Sequence, residues 1–213
     1  MNPLMLKEEI RALERALLSI SSRPITILEW GSGGSTVYFT QFLRTHGISY
    51  DWTSIEYNKG WAEKVSSELN GDTHTHLVLF DVGNDEILQP GIPMDEYVGY
   101  PKTLGKKFDL ILVDGRKRRR CVLEARDLVS DNGFVFLHDA QRGYYHDAFT
   151  AYPRHRFLSG RLWEGRPGAP SAWEACLDFF RTLSSQTVFA VRRAVWKAYA
   201  ASPLRPFVKK FFA

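Results

Sequence analysis

The stretch "ILEWGSGGST", residues 27–36, is the part of the sequence that best indicates the fold of this chain. An apolar run reaches the carboxylate of Glu29, and the chain then passes into three glycines and three hydroxyl-bearing residues. A short apolar run of this kind is typical of a buried strand, and the glycines predict a tight turn into the next helix. Because glycine has no side chain, such a turn also lets a ligand approach the backbone closely.

The rest of the sequence alternates strand-like and helix-like segments. Strands are predicted at 25–30, 50–57, 74–82, 108–114 and 133–139, and helices at 3–20, 35–46, 59–69 and 117–130. A loop rich in proline and glycine is predicted at 83–106, and the segments 155–163 and 172–181 are expected to add antiparallel edge strands. This alternation indicates an α/β fold with a doubly wound, mostly parallel sheet and helices on both faces.

We expect one domain over 1–182, opened by an N-terminal helix within 1–22, and a tail over 183–213. A hydrophobic content of 44% in 213 residues is typical of a globular domain, and no long uncharged run predicts a signal peptide or a membrane span. Two cysteines without metal-type spacing fit a reducing compartment, so we expect a cytoplasmic protein.

The charge is unevenly distributed along the chain. Seven basic residues and no acidic residue follow Asp178, whereas the part before them has 21 basic and 24 acidic residues. Within 183–213, apolar and aromatic residues recur at helical spacing, which predicts a basic amphipathic helix. We expect this tail to contact the inner face of a membrane, or to dock on the body or on a second subunit of a homodimer. Nucleic acid is not the expected partner.

An acidic residue ends each of the five predicted strands. In an open α/β sheet, ligands bind beyond the carboxyl ends of the strands, so these five side chains predict a site. They are Glu29, Glu56, Asp81, Asp114 and Asp139.

The turn at 31–36 does not match the common phosphate-binding loops. It lacks the lysine of a P-loop, and Thr36 stands where a dinucleotide-binding loop has its third glycine. An acid just before the glycines would also repel a pyrophosphate. Glu29 instead suits a ligand with positive charge, such as S-adenosylmethionine, and Glu56 is spaced to accept hydrogen bonds from ribose hydroxyls.

Five motifs in this order, "ILEWGSGGST", "SIEYN", "LFDVGN", "FDLILVDG" and "GFVFLHDA", resemble the successive motifs of class I S-adenosylmethionine-dependent methyltransferases. The resemblance covers residues 25 to 140. It implies a Rossmann-like, seven-stranded sheet whose last strand is antiparallel, and methyl transfer as the reaction. By this resemblance the cofactor contacts Glu29, Gly31, Ser32, Gly33, Ser35, Thr36, Glu56, Asp81, Val82 and Asp114.

Transfer to an oxygen also needs a base or a metal ion near the acceptor. Asp114 and Asp139 end neighbouring strands, and His138 precedes Asp139. The motif "DGRK" resembles that of catechol-type O-methyltransferases, which implies a metal-binding role for Asp114 and a catalytic role for Lys117. Asp139 would be the second metal ligand, but Ala140 stands where that family has an asparagine. Metal dependence and a metal-free base, His138 or Asp139, are both open.

A run of basic residues at 116–120 stands where a helix should begin, although cations are disfavoured at a helix N-terminus. We therefore expect an anionic substrate bound through arginines. The motif "HDAQR" is similar to one in plant glucuronoxylan methyltransferases, which implies a uronic acid acceptor. The candidate substrate-binding residues are Arg116, Arg118, Tyr97, Tyr100, Arg142 and Tyr144.

The sequence thus predicts O-methylation of a hydroxyl on a glycan, a glycolipid precursor or a small anionic metabolite. An RNA-modifying methyltransferase is the alternative enzyme, and a cofactor-binding scaffold without catalysis is the alternative without chemistry. The sequence does not choose the acceptor among these classes.

Overall fold

The computed structural model describes residues 1–81 and 94–169. The helices in these ranges are α1 (Lys7–Ser19), α2 (Gly34–Thr45), α3 (Lys59–Leu69), α4 (Asp95–Thr103), α5 (Arg118–Leu128) and α6 (His146–Phe149), with a 3₁₀ turn at Gly143–Tyr145. The strands are β1 (Ile25–Trp30), β2 (Tyr50–Glu56), β3 (Thr75–Leu79), β4 (Phe108–Val113), β5 (Val129–Leu137), β6 (Arg154–Phe157) and β7 (Trp163–Arg166).

All seven strands form one sheet in the order β3-β2-β1-β4-β5-β7-β6. Strands β1 to β5 are parallel, and β7 is antiparallel to both of its neighbours. The predicted α/β, Rossmann-like sheet with an antiparallel last strand is therefore confirmed.

Each central strand is buried on both faces, which is why its sequence is a continuous apolar run. Ile27 packs in a core with α1 and α2, whereas its neighbour Leu28 packs in a second core with α4 and α5. The same alternation separates Leu110 from Ile111 in β4. Helices thus cover both faces, and the carboxyl ends of the strands stay accessible at one edge of the sheet.

The edge hairpin differs from the prediction. The segment 155–163, predicted as one strand, is instead β6, a turn, and the first residue of β7. Ser159 makes the turn, because its Oγ accepts hydrogen bonds from the backbone N–H groups of Arg161 and Leu162, both at 3.0 Å. The strand predicted at 172–181 falls outside the described residues.

The predicted loop 83–106 contains a helix, α4, in its described part. Pro101 lies inside α4 and has no N–H to donate to the carbonyl of Tyr97 one turn earlier. The indole Nε1 of Trp30 donates to that carbonyl instead, at 3.1 Å. Tyr97 and Val98 are buried against the core. Tertiary packing therefore stabilises a helix that Gly99 and Pro101 argue against.

The tail predicted at 183–213 and the domain boundary at residue 182 lie outside the described residues, so both stay predictions. Within 1–81 and 94–169, no helix is long and apolar enough to cross a bilayer.

Gly31 and Gly115 bring the ends of β1 and β4 together. Gly31 has φ +95°, and a Cβ built on it would lie 2.4 Å from the Cα of Gly115. A Cβ on Gly115 would in turn lie 2.1 Å from the phenolic oxygen of Tyr97. Neither position has room for a side chain, since the atoms in the way are mostly backbone. Two turns at the carboxyl edge of the sheet thus depend on glycine.

We predict that Gly31→Ala lowers the free energy of unfolding by roughly 2–4 kcal/mol, the sum of left-handed strain and overpacking. Chemical denaturation of the purified variant measures this loss. Gly47→Ala is the matched control, because Gly47 has φ +64° but open space around its Cβ position. It should lose only about 1 kcal/mol. Equal losses in the two variants would show that the contact with Gly115 is not what requires glycine.

Candidate active site

A cavity of about 570 Å³ opens at the carboxyl ends of β1, β2, β4 and β5. It is the place where ligands bind in open α/β sheets. Ten of the residues that the sequence proposed for a site line it: Gly31, Ser32, Gly33, Ser35, Glu56, Asp114, Arg116, Arg118, His138 and Asp139.

Other proposed residues are not part of the cavity lining. Tyr97 is buried in the core, and Tyr100 packs against Phe80, with ring centroids 5.4 Å apart. Arg142 and Tyr144 are exposed after β5, and Asp81 is exposed after β3. Lys117 precedes α5 in a left-handed conformation. Val82 lies outside the described residues.

Glu29 lies beneath the glycine turn rather than in the cavity wall, which corrects its expected role as a direct ligand contact. Its carboxylate is fully buried and accepts hydrogen bonds from four side chains. The donors are Ser35 Oγ at 2.5 Å, Thr36 Oγ1 at 2.6 Å, Ser54 Oγ at 2.8 Å and Trp52 Nε1 at 3.1 Å. Glu29 therefore ties β1 to β2 and to the first turn of α2.

Thr36 connects Glu29 to the backbone of the glycine turn. Its Oγ1 also accepts a hydrogen bond from the backbone N–H of Gly33, at 2.9 Å. Burial raises the pKa of Glu29 to about 7, although the four hydrogen bonds act in the opposite direction. Protonation of Glu29 near neutral pH therefore affects a carboxylate whose hydrogen bonds, through Thr36, hold the backbone of the turn.

The three glycines of the turn have different reasons to be glycine. Gly31 contacts Gly115, and a Cβ on Gly34 would lie 2.1 Å from the backbone oxygen of Asn2. Gly33 has extended backbone, and a Cβ there would meet Trp61 only at an ordinary 3.6 Å. Neither backbone geometry nor protein packing requires a glycine at 33. Its lack of a side chain enlarges the cavity.

Glu56 presents a buried carboxylate at the end of β2. Its Oε1 accepts hydrogen bonds from the backbone N–H groups of Tyr57 and Asn58, both at 2.9 Å. Its Oε2 accepts one from Ser32 Oγ at 3.1 Å, which joins β2 to the glycine turn. Burial raises the pKa of Glu56, and these hydrogen bonds oppose the rise. Because Glu56 lines the cavity, a ligand bound there would contact this carboxylate.

Charged side chains from β4, β5 and α5 form a cluster opposite the glycine turn. His138 Nδ1 lies 3.1 Å from Asp114 Oδ1, and Arg118 lies 2.9 Å from the same oxygen. Arg118 also lies 3.3 Å from Asp139 Oδ2. These four residues, all of which the sequence proposed for the site, lie together in the structure. Arg118, which the sequence proposed as a substrate contact, lines the cavity but donates its hydrogen bonds to acceptors within the protein.

Asp139 is held by arginines. Arg161 donates from Nε at 3.1 Å and also from a terminal nitrogen, and Arg142 lies 3.3 Å away. Burial would raise the pKa of Asp139, but the bond from Arg161 and the nearby positive charges of His138 and Arg118 lower it to about 2. A carboxylate with so low a pKa is a poor base.

His138 lies between two carboxylates. Burial would lower its pKa, but the bond with Asp114 and the charges of Asp139 and Glu9 raise it. Its Nε2 is 3.5 Å from Glu9 Oε2, with no hydrogen bond of good geometry among the described residues. Both ring nitrogens therefore face carboxylates, so the imidazolium form is favoured.

The N-terminal segment completes the cavity, which the sequence did not predict. Residues 1–5 line it, and the backbone of Asn2 packs against Gly34. Glu9 of α1 is fully buried and accepts hydrogen bonds from Leu6 N at 2.8 Å and Ser159 Oγ at 2.6 Å. An acidic residue in the first turn of an amphipathic helix looks like an ordinary N-terminal charge, so no local pattern marks Glu9.

The proposed metal ligands do not form a metal site with other acidic or histidine side chains. Among the residues 1–81 and 94–169, no group of three or more His, Cys, Asp and Glu side chains is placed to hold a metal ion. Ala140, at the position of the expected asparagine, is fully buried, and its N–H donates to the carbonyl of Arg161 at 2.8 Å.

Comparison with known proteins shows which solved structures have a similar fold. No family model and no curated protein matches the sequence. A crystal structure of a methyltransferase-like protein from Silicibacter pomeroyi is similar, with 26% identity, a TM-score of 0.58, and coverage of 85% of this chain and 96% of that one. The CMeT domain of citrinin polyketide synthase is similar in fold, with 15% identity, a TM-score of 0.51, and coverage of 74% and 51%.

The chain therefore has the fold of class I S-adenosylmethionine-dependent methyltransferases, which confirms the resemblance seen in its motifs. These similarities do not identify an acceptor.

We predict a pH dependence of stability that comes from Glu29. The folded protein keeps the Glu29 proton up to about pH 7, whereas the unfolded chain releases it near the ordinary value of 4.5. This group therefore favours the folded state most below pH 4.5, and its contribution falls by on the order of 3 kcal/mol as the pH rises to 7. Urea unfolding between pH 4.5 and 7.5 measures the slope.

Glu29→Gln should remove this part of the slope, because glutamine does not titrate. Glu63→Gln, at an exposed position of α3, controls for the loss of a carboxyl group and should keep the wild-type slope. An unchanged slope in Glu29→Gln would contradict the assignment.

Proposed function

We propose that this chain is an S-adenosylmethionine-dependent methyltransferase that acts on a hydroxyl of an anionic saccharide or a small anionic metabolite. One observation carries the proposal. The cavity has the glycine turn and Glu56 on one side and the Asp114, His138 and Arg118 cluster on the other. A donor held on the first side would present its reactive group to the second.

The residues present suit this cofactor. When bound, S-adenosylmethionine supplies a methyl group on a sulfonium centre. The carboxylate of Glu56 suits the two ribose hydroxyls, since a hydrogen bond to a charged acceptor is stronger than one between neutral groups. Gly33 leaves the space above the turn open to the methionine part. Glu29 supports the turn from below, so its contribution to binding is indirect.

Alignment of donor and acceptor does much of the work in a methyl transfer. The hydroxyl oxygen becomes strongly acidic as the new bond forms, so a weak base suffices to take its proton. Asp114 suits this task, because it lines the cavity and its side chain is 24% exposed. Asp139 is unsuited because guanidinium groups contact both of its carboxylate oxygens, and both nitrogens of His138 already face carboxylates.

Two arginines support an anionic acceptor. Arg116 is exposed on the cavity lining, and its guanidinium lies over the ring of Tyr57, 5.1 Å from the centroid. Arg161 also lines the cavity and keeps a side chain that is 42% exposed while it pairs with Asp139. Guanidinium groups in such places suit a carboxylate or a phosphate of the acceptor.

Calorimetric titration with S-adenosylmethionine tests the cofactor. We expect binding to the wild type and a rise in Kd of roughly tenfold or more in Glu56→Ala, because a buried acceptor for two hydroxyls is lost. Glu63→Ala removes an exposed glutamate of the same region and should bind as the wild type does. Absence of binding to the folded wild type would refute the proposed function.

Transfer of a labelled methyl group tests the acceptor and the base. We expect label in a saccharide that contains uronic acid, and none in its neutral analogue or in RNA. Asp114→Asn should lower kcat by about 100-fold, the usual contribution of a general base, with little change in cofactor Kd. Asp147→Asn, at an exposed aspartate paired with Arg119, is the control. Label in RNA alone would favour the RNA-modifying alternative.

A further inference from the structure

We propose that the guanidinium of Arg118 takes the place that a divalent cation holds in metal-dependent O-methyltransferases. It bridges Asp114 and Asp139 and keeps Asp114 positioned toward the acceptor. The part that concerns catalysis rests on the proposed function, whereas the part that concerns metal binding does not. Arg118 is a positioning residue in this scheme, since it acts through the two carboxylates.

The distances place one cation between two carboxylates. Arg118 lies 2.9 Å from Asp114 Oδ1 through one terminal nitrogen and 3.3 Å from Asp139 Oδ2 through the other. These carboxylates follow β4 and β5, the two positions at which the resemblance to catechol-type enzymes implied metal ligands. The side chain of Arg118 is only 11% exposed, so the pairs are largely shielded from solvent.

Backbone carbonyls fix the guanidinium in this position. Its nitrogens donate to Asp114 O at 2.7 Å, His138 O at 2.8 Å and Gly115 O at 3.0 Å. The carbonyls lie just beyond the ends of β4 and β5, so Arg118 holds the two strand ends together. A planar fork with five N–H donors can serve such a set, whereas a lysine ammonium has only three donors at one point.

The charges around Asp114 and Asp139 disfavour a metal ion at this place. Three guanidinium groups, those of Arg118, Arg142 and Arg161, contact the carboxylates of Asp114 and Asp139. A divalent cation needs surplus negative charge and several oxygen ligands. Here it would add two positive charges to two carboxylates that are already neutralised. The buried methyl group of Ala140 also replaces the amide oxygen of a third ligand.

Manganese binding to the purified wild-type protein is the first test, read by the electron paramagnetic resonance signal of free Mn²⁺. We expect no stoichiometric binding, and we expect dialysis against a chelator to leave both cofactor Kd and any methyl transfer unchanged. Stoichiometric Mn²⁺ binding that Asp139→Asn abolishes would overturn the proposal. This test needs neither activity nor a destabilised variant, so it is independent of the proposed function.

Arg118→Ala is the second test. It removes the link between the two carboxylates while Arg142 and Arg161 still hold Asp139, so Asp114 loses its position and we expect a kcat that is roughly 10- to 100-fold lower with cofactor Kd little changed. Guanidinium ion added to Arg118→Ala should restore part of the rate, whereas Arg118→Lys should restore little.

The control for this variant is Arg119→Ala. Arg119 is the next residue of α5 but pairs with Asp147 at an exposed position. It should show wild-type kcat and no Mn²⁺ binding. A folded Arg118→Ala that keeps the wild-type kcat would overturn the proposal. Should Arg118→Ala fail to fold, the wild-type Mn²⁺ measurement still decides.

Discussion

The carboxylate of Glu29, buried with four hydrogen-bond donors, is the constraint on which the cofactor side of the cavity depends. Burying a carboxylate is costly unless its oxygens are hydrogen bonded. The donors come from α2 and β2, so the hydrogen bonds are satisfied only when β1, β2 and the first turn of α2 are in register. Thr36 then extends the restraint to the N–H of Gly33. The turn is thereby held from the side opposite the cavity.

The opposite wall is organised by a different interaction. There the carboxylates are paired with positively charged side chains. Arg118 contacts both Asp114 and Asp139 and also donates to three backbone carbonyls. Pairing of this kind fixes geometry more than it adds stability, since the desolvation of buried ions offsets much of their attraction. The two walls of the cavity are therefore fixed in different ways, one by hydrogen bonds to a buried carboxylate and the other by ion pairs.

Much of the fold follows from the sequence. The apolar runs of β1 and β4 are long, continuous and bounded by glycine, so their strand character does not depend on distant contacts. Helix α4 does depend on them: Trp30, more than sixty residues earlier, satisfies the carbonyl that Pro101 leaves without a donor. The β6–β7 hairpin likewise depends on one side chain, because its turn, formed by Ser159, lies inside the segment 155–163 that the sequence predicts as a single strand.

The candidate site divides in the same way. Residues at strand ends are brought together by topology, which the order of motifs predicts, so Glu56, Asp114 and Asp139 were found. What each carboxylate contacts depends on side chains from other elements, and this is why Glu29 appeared to be a ligand contact and Arg118 a substrate contact. The pattern of acidic residues predicts where the carboxylates lie, but not which cationic side chain pairs with each of them.

The start of the chain connects the two walls. The backbone of Asn2 packs on Gly34 at the glycine turn, and seven residues later Glu9 faces His138 in the charged cluster. Glu9 is also bonded to Leu6 at the beginning of α1 and to Ser159 in the β6–β7 turn. A shift of the N-terminal segment would therefore change both the packing of Asn2 on Gly34 and the position of Glu9 beside His138. The N-terminal segment thus contacts both walls of the cavity that it lines.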